Sequence, residues 1–251
     1  MSLRVVTYNV HKCRGMDGRV SATRVAEVLG EVDADIIALQ EVMEHQAEAI
    51  SAELKLPFVL GENRKHGEYA YGNVLLSRFP IRLMRNYDLS VRGREERGCL
   101  RADLLMEGGG LLHIFNVHLG TSFFERRRQA RLLVTEELLN DMEIQFPRIV
   151  LGDFNEWTRG LATRLLRSHL ESADIRVHLR RSYTYPGVLP FLHLDHIYYD
   201  QTLRLERLAL HRTRKALVAS DHLPLVGEFG WKREAQDSES DDPDACAVAA
   251  R

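Results

Sequence analysis

Asp153 and Asn155 stand two residues apart, just after the apolar run Ile149-Val150-Leu151, which reads as a short buried strand. In extended backbone such residues share a face, so a carboxylate and a carboxamide meet where that strand runs out. A carboxylate can hold or deprotonate a water, and an amide can orient one. Gly152, between the strand and the carboxylate, permits a close backbone approach. Alone, the pair is also what a capped turn looks like. Its weight comes from the same pattern at other strand ends: Asn9 after Val5-Val6, Glu41 after Ile36-Ile37, His118 after Leu111–Val117, Asp195 after Leu192–Leu194, and Asp221-His222 ahead of Leu223.

Side-chain parity sorts the neighbours. In His193–Tyr199, Asp195 shares a face with Ile197 and Tyr199, whereas His196 points the other way, so Asp195 is the site candidate and His196 the structural residue. Asn116 and His118 share a face of another strand. Asp221 and His222 can enter one site only through a turn, which Ser220 and Pro224 favour. The inventory is rich in hard oxygen donors. Glu41, Asp221 and Asn9 suit Mg²⁺ or Mn²⁺ rather than a sulfur-seeking metal. Two histidines fall short of a three-ligand zinc site unless a carboxylate completes it. The chemistry such a set supports is attack of water on a phosphate ester.

These residues need elements to position them. Strands are expected over Leu3–Val10, Ile36–Leu39, Phe58–Leu60, Tyr71–Leu76, Ile81–Leu89, Cys99–Met106, Leu111–His118, His193–Tyr199, Leu205–His211 and Leu223–Phe229. Gly108-Gly109-Gly110 reads as a hairpin turn. Ser21 can cap a helix whose core stripe is Val25, Val28, Leu29 and Val32. Further helices are expected over Glu44–Lys55, Phe124–Met142 and Leu161–Ser168, with a polar loop over Glu62–Glu68 and irregular chain over Arg176–Pro190. Consecutive hairpins with helical crossovers fit two mixed sheets packed face to face with helices outside, a four-layer α/β/β/α sandwich.

The 251 residues, 45 % of them hydrophobic, suffice for one domain with a sizeable core. The net charge of −2 is uneven. Residues 231–251 hold six acids and three bases, which leaves 30 acids and 31 bases in residues 1–230. The body is thus nearly neutral, without the basic excess of a dedicated nucleic-acid binder. The expected division is a catalytic domain over 1–230 and an acidic disordered tail over 231–251. Three cysteines without metal-type spacing point to a reducing compartment, and with no leader pattern the expected location is cytoplasmic. No run approaches the length of a membrane span, and no protein partner is implied.

The arginine groups Arg92, Arg94 and Arg97, Arg126, Arg127, Arg128 and Arg131, and Arg176, Arg180 and Arg181 could line a groove for an anion. They also read as solvated faces paired with Glu95, Glu96 or Glu125. His11, His45, His66, His113, His169, His178 and His211 read as surface or core histidines. Phe123, Phe124, Tyr183, Tyr185 and Phe191 could form an apolar rim, or pack.

Seven segments in order resemble the endonuclease/exonuclease/phosphatase superfamily, which includes DNase I and exonuclease III. They are Thr7-Tyr8-Asn9-Val10, Leu39-Gln40-Glu41, Tyr71-Gly72-Asn73-Val74-Leu75-Leu76-Ser77, Asn116-Val117-His118-Leu119, Gly152-Asp153-Phe154-Asn155, Leu194-Asp195-His196-Ile197 and Ser220-Asp221-His222-Leu223-Pro224. The resemblance implies a DNase I-like fold and a divalent-metal-dependent hydrolase of phosphoric esters. It implies Asn9, Glu41 and Asp221 as metal ligands, Asp153 acting on the attacking water, and Asn155 orienting that water and the phosphate. It further implies His222 on a phosphoryl oxygen with Asp195 as its partner, and His118 as a second phosphate contact. Asn73, Arg126 and Gln129 are further candidates for phosphate contacts, the last two because they open the helix after His118. Family enzymes that cut DNA at abasic sites usually carry a Tyr-x-Pro-Asn-type segment where this chain has Asn116-Val117-His118-Leu119-Gly120. The chain looks more like the branch of sphingomyelinase-like and small bacterial hydrolases. The expected substrate is a phosphodiester in a lipid head group, a small molecule or nucleic acid. The alternatives are a DNA or RNA nuclease, or a non-catalytic phosphate-binding module on the same fold.

Overall fold

A computed structural model of the protein describes residues 2–135, 144, 147–156, 160–173, 183–186 and 192–232. In chain order its strands are β1 (Ser2–Asn9), β2 (Ile36–Met43), β3 (Phe58–His66), β4 (Tyr69–Ser77), β5 (Ile81–Asp88), β6 (Gly98–Leu105), β7 (Leu111–His118), β8 (Arg148–Asp153), β9 (Glu171–Ser172), β10 (Asp195–Tyr199), β11 (Leu203–Leu210) and β12 (Leu225–Trp231). The helices are α1 (Ala22–Val32), α2 (Glu44–Leu54), α3 (Phe123–Leu133), α4 (Leu161–Arg167) and α5 (Arg214–Ala219), with a 3₁₀ turn at His11–Cys13.

One sheet runs β11-β12-β1-β2-β4-β3 and the other β5-β6-β7-β8-β10-β9. Leu3, Val5, Ile36 and Ala38 of the first face Ile114, Ile149, Leu151 and Ile197 of the second in a shared apolar layer. The opposite residues of the same strands are also buried. Val6, Tyr8, Ile37 and Leu39 pack with Val25, Val28 and Leu29 of α1. Phe115, Val117 and Val150 pack with Ala130 and Leu133 of α3 and Leu166 of α4. Strands buried on both faces lose the polar alternation, which is why β1, β2 and β8 read as continuous apolar runs. The four-layer α/β/β/α sandwich expected from the sequence is therefore the architecture observed.

Each sheet contains one parallel pair, β1 with β2 and β7 with β8. Parallel neighbours end at the same edge, so Asn9 and Glu41 emerge together, and His118 lies opposite Asp153 in register. The loop expected over Glu62–Glu68 is instead mostly strand. β3 runs to His66 and pairs with β4 through a register shift between Glu62 and Arg64. Its polar residues stand at a sheet edge, where backbone pairing does not require apolar side chains. Helix α3 stops at Leu133, where Thr135 N–H turns back to Leu132 O, short of the expected Met142. The remainder of that expected segment, 136–142, lies outside the described residues. So do most of the expected irregular region over 176–190 and all of the tail beyond 232. Helix α5 was not expected; Thr213 caps it by accepting from Ala216 N–H.

Candidate active site

The site begins with a break in the β2–β4 ladder. Their register shifts between Leu39 and Val42, and Glu41 within the bulge takes a left-handed φ of 59°. A bulge re-aims a side chain, and here it turns the Glu41 carboxylate toward the ends of β1 and β7. The fully buried Asn116, from the opposing sheet, donates Nδ2 to Leu39 O at 2.9 Å and Val74 O at 2.8 Å. Its Oδ1 accepts from Gln40 Nε2 at 2.7 Å, and Gln40 also donates to Thr7 Oγ1 at 3.1 Å. Near the site the apolar layer between the sheets thus becomes a polar cross-link. Buried polar groups satisfied in this way tie the two sheets together beside the bulge.

On that base, five candidate side chains converge. Asn9 Nδ2 donates to Asp153 Oδ2 at 2.9 Å and to Glu41 Oε1 at 3.3 Å. His118 Nε2 lies 3.7 Å from Asp153 Oδ2 and 3.9 Å from Glu41 Oε1. His222 Nε2 lies 3.8 Å from the same Asp153 oxygen. Both imidazole Nε2 atoms therefore face the carboxylate from beyond hydrogen-bond range. On its other nitrogen, His222 Nδ1 is 2.9 Å from Asp195 Oδ2. Ser220 Oγ bonds Asn9 O at 2.8 Å, which fastens the turn carrying Asp221 and His222 to the end of β1.

Burial works against a charge on His222, but the Asp195 carboxylate outweighs it and lifts the imidazole to about 10. Burial, reinforced by the charge of Asp195, raises Asp153 above the ordinary carboxylate value, while His222 pulls it back. His118 is driven down to about 3 by burial and by Arg97, so its ring is neutral. Glu41 lies below its ordinary value although burial opposes this, through His118 and the Asn9 amide. Since His118 is neutral, the hydrogen bond from Asn9 is the durable cause. The site thus pairs a cationic His222 with a carboxylate whose proton affinity is enhanced.

Asp195 faces His222, while His196 turns away and bonds Glu156 O through Nε2 at 3.0 Å, as strand parity predicts. Asn155, at φ 49°, donates its backbone N–H to Asp153 Oδ1 and its side-chain Nδ2 to Leu119 O, both at 2.9 Å. Its observed part is to brace Asp153 and the loop after His118. Asp221 lies 3.6 Å from His11 Nδ1. The candidate phosphate contacts need correction. Asn73 is fully buried and spends Nδ2 on Gly98 O and Asn116 O, at 3.0 and 3.1 Å. Arg126 Nη1 donates to the carbonyls of Gly120 and Thr121. Gln129 accepts from Gly120 N–H at 2.8 Å and donates to Leu89 O at 3.1 Å. These three hold backbone around the site.

Two neighbours escaped the sequence reading. His11 beside Asp221 was grouped with ordinary histidines, although it stands two residues after Asn9. Tyr185, considered only as part of a rim, sets its ring 5.0 Å from that of His222. Phe123 and Phe124 are exposed at the start of α3, with ring centroids 5.6 Å apart. Phe191 lies outside the described residues.

Among the described residues no three of His, Cys, Asp and Glu close into a metal cage. The donor set suits a hard ion held by one or two carboxylates and completed by water and substrate oxygens, which is how Mg²⁺ binds in phosphate-handling sites. Asn9 Oδ1 accepts from His11 N–H at 3.0 Å, so its amide presents N–H to the two carboxylates.

Residues 6–222 match the model of the Endonuclease/Exonuclease/phosphatase family. The chain is 33 % identical to the uncharacterised protein YbhP of Escherichia coli (strain K12) over 247 residues, covering 91 % of this chain and 96 % of that protein. A functionally unknown conserved protein from Enterococcus faecalis V583 shares the fold with a TM-score of 0.79 at 19 % identity, covering 92 % of this chain and all of that one. A mannosyl-6-phosphatase from Bacteroides thetaiotaomicron VPI-5482 does so with a TM-score of 0.75 at 18 % identity, covering 91 % of this chain and all of that one.

Proposed function

The chain belongs to the endonuclease/exonuclease/phosphatase family, and on that premise we propose that it is a divalent-metal-dependent phosphodiesterase. The observation that carries the reading is the line from Asp195 through His222 to Asp153, with Asn9 and Glu41 beside it. Glu41 and Asp221 would hold the ion, joined by Asn9 once its amide turns Oδ1 inward from His11 N–H, and the ion would supply charge neutralisation on the phosphoryl oxygens.

The remaining chemistry belongs to the side chains. Asp153 takes a proton from the attacking water. Its raised proton affinity brings it nearer to neutral pH, where a general base is most effective. Asn155 and Asn9 fix the two carboxylate oxygens of Asp153, so the base points one way. His222, cationic and steered by Asp195, donates from Nε2 to a phosphoryl oxygen as negative charge builds there. The neutral His118 can give one further hydrogen bond to the phosphate. Water exclusion by the buried polar layer strengthens each of these contacts.

The direct test incubates purified protein with bis-p-nitrophenyl phosphate, supercoiled plasmid and phospholipid vesicles, with Mg²⁺, Mn²⁺ or EDTA. Metal-dependent release of product from at least one phosphodiester is expected. Folded protein inert on all of them with either metal, or fully active in EDTA, would overturn the reading.

A further inference from the structure

Beside the Glu41 edge of the site, two cationic side chains lie over one tyrosine and a third is joined to one of them through a carboxylate. The shift in β3 brings Arg64 into register with Tyr71 of β4. Its guanidinium carbon lies 4.8 Å from the ring centroid. Lys12, in the left-handed turn after β1, puts Nζ 5.6 Å from the same centroid. Tyr71 itself pairs with Met43, two residues beyond Glu41. Arg97 precedes β6 and is buried, at 5 % exposure.

One carboxylate spans two of these cations. Glu95 Oε1 accepts from Arg64 Nη2 at 2.7 Å, and its Oε2 accepts from Arg97 Nη2 at 2.8 Å. An oxyanion bridging two guanidiniums is how arginine pairs hold a phosphoryl group. The three partners differ in depth: the Glu95 side chain is 43 % exposed, that of Arg64 25 % and that of Arg97 6 %. Deep polar atoms are also left over. Nε of Arg64, Nε of Arg97 and the Tyr71 hydroxyl are buried without a hydrogen-bond partner among the described residues. Buried donors are normally satisfied, so a plain surface ion pair does not account for them. Cys99, two residues beyond Arg97, pairs with Val117 next to His118, which sets Arg97 at the flank of the Asp153 cluster.

We propose that Arg64 and Arg97 form a subsite for a second phosphoryl group of the substrate, and that Glu95 fills it in the free protein as an internal stand-in. The inference rests on the phosphoesterase reading, since it takes the Asp153 cluster as the place where the first phosphate reacts. Binding is then an exchange. The exposed Glu95 swings into solvent, and the second phosphate takes over both guanidiniums. The substrate class is a phosphoester carrying another phosphate on the same small scaffold. A nucleotide with phosphates at two positions and a bisphosphorylated polyol head group share that chemistry.

Calorimetry on the full chain in Mg²⁺ buffer tests it, with thymidine 3′,5′-bisphosphate, inositol 1,4-bisphosphate and thymidine 5′-monophosphate as probes. At least one bisphosphate should bind more tightly than the monophosphate, and the tighter of the two identifies the scaffold. Glu95→Gln should tighten that bisphosphate severalfold with little change for the monophosphate. Arg64→Ala should weaken it by about tenfold or more, as expected for losing a charge-assisted hydrogen bond. Equal binding of mono- and bisphosphates by the wild type, or a Glu95→Gln protein that tightens neither bisphosphate, would overturn the proposal. Binding is the readout, so the two readings fail separately. Protein that cleaves bis-p-nitrophenyl phosphate but does not discriminate these probes loses only the subsite. Protein that discriminates them but cleaves no ester loses only the phosphodiesterase.

Discussion

Asp195 Oδ2 meets His222 Nδ1 at 2.9 Å, although the two lie 27 positions apart, one opening β10 and the other in the turn before β12. The contact fixes which imidazole nitrogen is left to face Asp153 and keeps the ring cationic. His222→Ala removes that donor, and kcat should fall by roughly 10²–10³, the range for losing one such contact to a developing oxyanion. Asp195→Asn should cost less, since the ring stays but is poorly held. His196→Ala should stay near wild type in turnover, because that ring faces away from the site. Steady-state kinetics with thermal melts on all three variants check this ordering.

The charge states set a pH dependence with a definite sign. Activity should rise as pH passes the elevated pKa of Asp153 and fall as His222 loses its proton near 10. Asp195→Asn should move the alkaline limb to lower pH. The same shift enters stability. A group lifted from 6.5 to about 10 on folding contributes fully below its unfolded value, and the contribution fades as pH climbs toward the folded one. The stability gap between wild type and Asp195→Asn should therefore be widest below about pH 6.5 and narrow toward alkaline pH. Urea midpoints measured across that range give the answer.

Glu41→Gln keeps the size of the side chain but removes its charge. The Mg²⁺ concentration for half-maximal activity should rise by an order of magnitude or more, and the melting temperature should change little. An unchanged Mg²⁺ titration would show that the ion is held elsewhere.

Asn116→Ala should destabilise the protein without touching the reacting groups. It takes a buried donor from Leu39 O and Val74 O and one acceptor from Gln40 Nε2, which keeps Thr7 Oγ1 and Ala38 O, and losing buried hydrogen-bond partners costs about 1–3 kcal/mol each. A drop of several kcal/mol in unfolding free energy is expected, with the m-value retained. Loss below about 1 kcal/mol would mean that the layer rearranges to satisfy itself.

Gly152→Ala should be equally severe for another reason. Gly152 sits at φ 148°, and a Cβ there would run into the Val117 carbonyl of β7. The strands would have to part where His118 faces Asp153, so stability and turnover should fall together. In contrast, deleting residues 233–251 should leave the melting temperature and turnover nearly unchanged, because that stretch holds no aromatic residue and no candidate ligand.

Much of this arrangement was legible because strand ends are written in the sequence as apolar runs closed by a polar residue. Two-residue parity sufficed to separate Asp195 from His196. What could not be read were residues whose partners lie on the other sheet. Asn116 and Gln40 look like ordinary strand polar residues until the fold sets them between the sheets, where they bond each other and carbonyls of β2 and β4. Arg126 and Gln129 open a helix beside His118, as expected, but they face inward to hold Gly120 rather than outward to a phosphate. The polar run after Glu62 reads as loop because an edge strand is paid for by backbone pairing, which side-chain patterns do not record.

The two parallel pairs also divide the molecule for an engineer. Asn9, His118 and Asp153 end their strands and Glu41 lies two residues short of the end of its own, all toward one rim of the sandwich. The hairpin Gly108–Gly110 sits where β7 begins, a full eight-residue strand away, or roughly 25 Å at strand rise. Among the described residues, that rim carries turns but none of the candidate site residues. A reporter, an affinity handle or a tether to a surface could be spliced in there while the opposite rim keeps its alignment.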